Sequence, residues 1–572
     1  MVFKKILLFF FLGAGLFIFS CENAFELDLQ EDPNFPAPEN ANIDALYASV
    51  QVNFAEFING PTGAFSVNDL TMQLSRQLAL IANDYANAYS PQTFDNIWNQ
   101  AYSDFMPDAN EIIRQAEAVG LPFQGGTAKI LKAYVLMTLV DIFGDVPNTE
   151  ADQGAQFISP NRDPGADVYA EAEALLLEGI ADLGDPAAAA PASDNFLEGS
   201  IPGWINAANG LLIRLYVTTN LVNSSAGANI MAIVNSPDFA TTDFNFQYTS
   251  NRANPDSRHP FYEDSYETTD GDYQSNWFMW TMAEEKENLD PRLRMYFYRQ
   301  VGQVPLDNVN RFDCVFSPLP DPASTPQHYL DCDPRMPYCV GSLGQGYYGR
   351  DHGNGNGIPP DGDIRTVYGV YPGGGKYDAN TFQSPQNAGI DGGLGAGIIP
   401  ILPAHFIDFF RAEAALTMGT GEDARALLES AVRASIMSVT NFARATDPGS
   451  LAEVVATVPI VVTGEDTLPT EEDVENYIAE VLALYDASGA DQLDVVMKEF
   501  LIASYGNGME GYNMIRRTGR PFNIQPMIQP TAGSFIRTPL YPSAHIELNE
   551  NATQREITDQ VFWDTNPANF VK

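Results

Sequence analysis

"GTAKILKAYVLMTLVDIFGDVP" (Gly126–Pro147) spaces Leu131, Tyr134, Val135, Thr138, Leu139 and Ile142 three and four residues apart. That spacing lines one face of a helix and predicts an amphipathic helix over residues 127–143. Gly125-Gly126 reads as the break before it, and Gly144 as its stop. Two similar stretches flank it. "FDNIWNQAYSDFMPDANEIIRQAEAVG" (Phe94–Gly120) predicts one amphipathic helix ending at Gly120, and "WINAANGLLIRLYVTTNLV" (Trp204–Val222) another. Successive helices with glycine-rich breaks suggest hairpins stacked as in tetratricopeptide arrays. No clean internal repeat accompanies them.

Near residue 240 the texture changes. Residues 241–400 are rich in Pro, Gly, Asn and Tyr, and read as loops. A stretch this long is not a passive connection, and long loops on a rigid scaffold usually carry binding. Helical patterning resumes in "HFIDFFRAEAALTMGTGEDARALLESAVRASI" (His405–Ile436). Its second helix stacks Ala424, Leu427, Leu428, Ala431 and Val432, with Gly419 and Gly421 at the corner. A third helical block spans residues 470–505. The predicted architecture is mainly α. Residues 41–240 and 401–572 form one discontinuous helical body, and 241–400 form a loop-rich ligand-binding lobe.

Lys4 and Lys5 precede an uncharged apolar run, Ile6–Phe19, with Ser20 and Cys21 after it. The run is shorter than the roughly 20 residues that span a bilayer. A basic start, a short apolar core and a small residue before the cut describe an export signal over residues 1–20. "IFSC" (Ile18–Cys21) resembles the lipobox of bacterial lipoproteins, which implies acylation of Cys21 and an acidic tether over 21–40. The net charge of −44 becomes −46 once Lys4 and Lys5 leave with the signal, since no acid goes with them. Such acidity excludes nucleic acid as a partner, because phosphate binding needs Lys and Arg to displace counterions. In an oxidising compartment one disulfide among Cys314, Cys332 and Cys339 is expected, with its pairing open.

Catalytic signatures are missing. None of the five histidines makes H-E-x-x-H or another paired ligand spacing, and G-x-S-x-G is absent. "GQGYYG" (Gly344–Gly349) spells a dinucleotide fingerprint, but "RDHGNGNG" follows it where a helix should open. His352, Asn354, Asn356, Gly357 and Asp363 imitate a calcium loop, with histidine where the first carboxylate belongs. Acidic pairs such as Asp361/Asp363 and Glu284/Glu285 are unavoidable in so acidic a chain, so no pair marks a glycosidase site. No cofactor, metal or catalytic residue is expected. What remains is aromatic clustering beside amides and acids. A sugar ring offers an apolar face to an aromatic plane and a hydroxyl rim to polar side chains.

Several segments together resemble the SusD/RagB family of Bacteroidota outer-membrane nutrient-binding lipoproteins. They are "GTAKILKAYVLMTLVDIFGDVP", "IWNQAY", "WINAANGLLIRLYV", "LDPRLRMYF" (Leu289–Phe297), "RAEAALTMGTGEDARALLESAVRASI", "GMEGYNMIRRTGRP" (Gly508–Pro521) and the closing "VFWD" (Val561–Asp564). The resemblance implies tetratricopeptide-like helix pairs and a lipid-anchored, surface-exposed protein on a SusC-like, TonB-dependent outer-membrane barrel. It implies capture of oligosaccharide without catalysis. The alternatives are oligopeptide capture, as in the RagB branch, or a surface glycoside hydrolase. By region, it points to Tyr85, Tyr89, Trp277, Tyr347 and Tyr348 as ring contacts, with Asp84 and Arg350 as polar ones; Tyr347 and Tyr348, flanked by glycines, read as exposed, whereas Trp277, three residues from Trp280, reads also as core under a helix.

Overall fold

The helix around Leu131 runs from Pro122 to Phe143 and is buried almost all the way round. A one-sided pattern gave way to burial on every side because neighbouring helices enclose it on several flanks. This computed structural model describes residues 42–151, 153, 156–267, 271–302, 325–338, 346–355, 362–385, 388–457 and 468–571. The export signal, Cys21, the tether, Cys314, Cys339, Asn356, Gly357 and Asp361 therefore lie outside the described residues.

The first helical run comprises α1 (Ile43–Asn59), α2 (Val67–Leu74), α3 (Met106–Val119), α4 (Pro122–Phe143), α5 (Gly165–Leu183), α6 (Ile201–Thr218) and α7 (Ala226–Val234). From α3 to α7 each helix packs on the next, and α1 packs on α3 and α4. Gly125 and Gly126 do not break the chain; they lie inside α4. A Cβ on Gly126 would stand 3.0 Å from the Gly179 carbonyl, and one on Gly179 would stand 2.8 Å from the Gly126 carbonyl. The glycines let α4 and α5 meet backbone to backbone, which sequence spacing alone does not distinguish from a break. The stretch 94–120 is not one α-helix either. A π-helical turn, Gln100–Phe105, precedes α3, and Met106 N–H reaches back to the Ala101 carbonyl. Pro107 has no N–H and its ring crowds the preceding turn, so the helix widens there. Gly120 ends α3 in the left-handed conformation (φ 72°), as the sequence predicts.

In the lobe, α8 (Asn276–Ala283) is its one helix of eight or more residues among those described. β1 (Phe244–Gln247) pairs antiparallel with β4 (Ile398–Leu402), joining the two ends of the lobe. Inside it, β2 (Phe297–Tyr298) pairs with β3 (Val367–Tyr368). After the lobe come α9 (Ala404–Thr417), α10 (Ala424–Thr446), α11 (Pro448–Thr457), α12 (Glu471–Ala487), α13 (Gln492–Ala503) and α14 (Gly508–Thr518). The α9–α10 hairpin follows expectation. Gly419 and Gly421 take positive φ at its corner, and Ala424, Leu427, Leu428, Ala431 and Val432 are buried. The fold is mainly α, with tetratricopeptide-like helix pairs.

The main core cluster reaches from Leu46 to Val571, with two small satellites in the lobe around Tyr262 and Tyr348. Its polar centre is Asp141 on α4. That carboxylate accepts from Tyr169 on α5, from Arg214 Nη2 on α6 (3.2 Å), from Asn513 Nδ2 on α14 (2.7 Å) and from Trp563 Nε1 (3.0 Å). Arg214 is also paired with Glu510 of α14. These groups are buried together, so each charge depends on the others for solvation.

Candidate functional site

Four segments converge above α2: the loop 80–90, the segment 346–355, the helix Gln327–Cys332 and the chain 525–535. Leu80 carbonyl accepts from Gly353 N–H (3.0 Å), Ala532 carbonyl from Tyr85 N–H (2.9 Å) and His352 carbonyl from Ile528 N–H (3.0 Å). His328 Nε2 reaches the Met527 carbonyl at 2.9 Å. Beneath lies a buried polar chain. Arg76 Nη2 donates to the Tyr85 hydroxyl (2.8 Å), and that oxygen stands 3.1 Å from His352 Nε2. Burial, reinforced by the Arg76 charge, holds the His352 imidazole well below its ordinary pKa, so the ring is neutral. This histidine, which occupies the first position of the calcium-like loop, is thus turned inward and engaged with Tyr85. Among the described residues no group of acids, histidines and cysteines could hold a metal ion.

The expectation of exposed rings is corrected. Tyr85, Trp277, Tyr347 and Tyr348 are buried, at 3%, 0%, 3% and 1% exposure, and Arg350 is buried with them. The residues do come together, but as an internal spine. Segments 275 and 350 form a parallel bridge, and Asn276 N–H donates to the Arg350 carbonyl (2.9 Å). The Arg350 guanidinium lies over Tyr273 (4.3 Å), Arg299 lies over Tyr347 (4.8 Å) and Lys498 lies over Trp277 (5.0 Å). Tyr348 packs on Ile364. Gly349 explains the glycine density: a Cβ there would meet the Gln274 carbonyl at 2.1 Å. The glycines of "GQGYYG" that the structure describes serve close chain packing, and among the described residues 350–355 no helix opens.

Asp84 and Tyr89 alone among the predicted contacts keep part of their surface. Asp84 accepts from Asn87 N–H (2.8 Å) and Nδ2 (2.9 Å), which sets the turn. Tyr89 rests at a tilt against Phe65 and Phe94 and donates to Gln73 Oε1 (2.7 Å). Around them the exposed rim is mainly polar, with Asn83, Asn87, Gln529, Thr531 and Ser534, and Ile81 is its apolar member. Sequence reasoning missed the 529–534 half of this rim and the Arg76 anchor. Arg76 takes φ 65°, a backbone choice that only the assembled fold imposes on a non-glycine residue.

Comparison with known proteins follows the same lines. A family model described as "Starch-binding associating with outer membrane" matches residues 36–312. No curated protein matches the chain. Among solved structures, a SusD/RagB family protein from Bacteroides thetaiotaomicron shares 17% identity over 92% of this chain and 100% of its own, with a TM-score of 0.63. A chitin-binding SusD homolog from Flavobacterium johnsoniae shares 17% identity over 92% of this chain and 99% of its own, with a TM-score of 0.59. A SusD homolog from Bacteroides fragilis shares 17% identity over 92% of this chain and all of its own, with a TM-score of 0.59. The sequence match to that family model runs through the first helical run, residues 36–312, and the fold is that of solved SusD/RagB structures across nearly the whole chain.

Proposed function

We propose that the protein is a cell-surface, outer-membrane lipoprotein, tethered through Cys21, that captures an oligosaccharide and delivers it to a SusC-like TonB-dependent barrel without cutting it. The observation that carries the ligand class is the two-loop rim. Tyr85 and Ala532 stitch loops 80–90 and 529–534 together over a buried, fully packed support. The rim offers amides, hydroxyls and the Asp84 carboxylate, groups that pair with sugar hydroxyls, and Tyr89 offers a partly exposed ring. Support also comes from the chitin-binding name of one structural neighbour and from the starch-binding description of the family.

In this reading Asp84 and Tyr89 touch ligand. Tyr85, Trp277, Tyr347, Tyr348 and Arg350 hold the rim in place from below. Positioning groups on a rigid support reduces the ordering cost of binding. Titration calorimetry of the mature protein with chito-, malto- and other oligosaccharides, beside a peptide panel, tests the ligand class. Micromolar or weaker binding of a glycan without release of reducing sugar is expected. Binding of peptides alone would move the protein to the oligopeptide reading. Release of reducing sugar would make it a hydrolase. Cys21→Ser should shift the protein from the membrane to the soluble fraction, and affinity capture of the wild type should retain a barrel partner.

A further inference from the structure

A second cavity opens where the C-terminal end of α4 meets the segment around Arg162 and the C-terminal chain 541–562. It measures about 250 Å³, and Asp145, Arg162, Tyr541, Thr553, Arg555 and Asp559 are among the residues that line it. Drug-sized pockets begin at roughly 300 Å³, so this one has room for a single small unit. Two guanidinium groups share one ring: Arg162 lies 4.6 Å and Arg555 5.4 Å from the centre of Tyr541. Arg162 donates from Nη1 to the Thr553 carbonyl (3.1 Å) and from Nη2 to the Thr553 hydroxyl (3.1 Å), and it has no carboxylate partner among the described residues. Arg555 Nη1 donates to the Phe143 carbonyl, and its ion pair is with Asp559, 3.9 Å from Nε. Nε is enclosed, but Nη2 is neither enclosed nor hydrogen-bonded to any described residue.

These two cations are short of negative charge. Buried arginines elsewhere in the chain, such as Arg292, Arg517 and Arg537, are hydrogen-bonded to a carboxylate. Here Asp145 is engaged with Gly165 N–H (2.8 Å), and Asp559 holds Glu556 N–H (3.0 Å) with 51% of its side chain exposed. Burial outweighs the distant Asp559 and holds the Arg555 guanidinium below its ordinary pKa. Burial together with the Arg162 charge lowers His545 to about 4. A planar guanidinium matches the geometry of an oxyanion. The two carboxylates on the wall repel a second negative charge, and the net −44 disfavours a polyanion. We propose that this cavity binds one monoanionic group, a carboxylate or a sulfate ester on a small hydroxylated molecule, at Arg162 and Arg555. Thr553 and Gln560, which also line it, suit the hydroxyls of that molecule. None of the lining residues belongs to the 80–90 and 529–534 rim, so the inference does not rest on glycan capture there.

The test uses the intact mature protein with three probes: glucuronate, its uncharged counterpart glucuronamide, and a glucose sulfate monoester. Calorimetry and ligand-observed NMR read the binding. Glucuronamide carries the same hydroxyls without the charge, so the difference between it and glucuronate separates this cavity from the rim, where Asp84 repels an anion. Glucuronate, the sulfate ester or both should bind, and glucuronamide at least about tenfold more weakly, the value of one hydrogen bond to a charged group. Arg162→Gln should weaken anion binding by a similar factor. Asp559→Asn keeps an oxygen for Glu556 N–H but removes a competing charge, so it should tighten anion binding about twofold or more, a change that a purely structural role does not produce. Asp84→Ala should leave anion binding no weaker. Melting curves check that each variant folds; if Arg162→Gln does not, the sign of the Asp559→Asn effect decides. Glucuronamide that binds as tightly as glucuronate, anion binding that survives Arg162→Gln or is not tightened by Asp559→Asn, or binding of neither anion overturns the proposal.

Discussion

Replacing Asp141 by Ala should unlock the helical body. The carboxylate is fully buried and accepts from four side chains on three other helices and the C-terminal segment: Tyr169, Arg214, Asn513 and Trp563. Each donor stranded in the interior costs roughly 1–3 kcal/mol, so four bracket a loss of about 4–12 kcal/mol before relaxation. Breaking a buried ion pair from one side costs roughly 3–5 kcal/mol by itself. Arg214 keeps Glu510, which limits the damage to that charge. The expected loss is therefore at least about 4 kcal/mol, a large share of the 5–15 kcal/mol typical of a folded domain. Urea unfolding followed by far-ultraviolet circular dichroism measures it, since Trp563 fluorescence would report its own lost partner. Asp141→Asn should fall between wild type and Asp141→Ala, because its amide oxygen still accepts while its NH2 faces Arg214. A loss under about 1 kcal/mol for Asp141→Ala would show that the helices are held by apolar packing alone, and the polar hub argument would fail.

Gly179→Val drives a branched side chain into the Gly126 carbonyl and Ile130, so it should lower stability by about 1–3 kcal/mol in the same urea assay. Tyr347→Ala should cost roughly 3–5 kcal/mol of stability, whereas Tyr89→Ala should weaken glycan binding with little change in melting; the reverse pattern would restore Tyr347 as a ligand contact. Burial pushes Asp264 and Asp272 each up to about 7, from an ordinary 3.8. A carboxyl protonated when folded and ionised when unfolded contributes its full stability below pH 3.8 and loses it as pH rises through about 7. Asp272→Asn should therefore raise the urea midpoint at pH 8 relative to wild type and flatten the decline between about pH 4 and 7; an unchanged profile would show that this carboxyl ionises without cost.

The helix pairs were legible because burial of one stripe per helix leaves a mark every three or four residues. Leu427, Leu428, Ala431 and Val432, with Gly419 and Gly421 at their corner, carry that mark in full. Glycine is ambiguous in the same reading. Gly126 looks like part of a break, yet it is a contact point against Gly179, because lacking a Cβ serves a turn and a close helix crossing equally well. The binding face was the least legible part. Tyr85, Trp277, Tyr347 and Tyr348 were read toward a ligand, but all four are buried. An aromatic ring flanked by glycine and asparagine has the same local signature whether it faces water or Arg299.

Chain composition and periodicity by themselves determined the mainly helical class and the extreme acidity, and they carried the expectation of an export signal, while acylation of Cys21 is what the lipobox resemblance implies. Those depend on neighbours a few residues apart, or on sums over the whole chain. Tertiary structure alone decided which side chains see solvent, that Arg76, Tyr85 and His352 form one chain, and that Asp141 gathers Tyr169, Arg214, Asn513 and Trp563. Such facts join residues tens to hundreds of positions apart, where no local pattern records the pairing and only packing sets who meets whom.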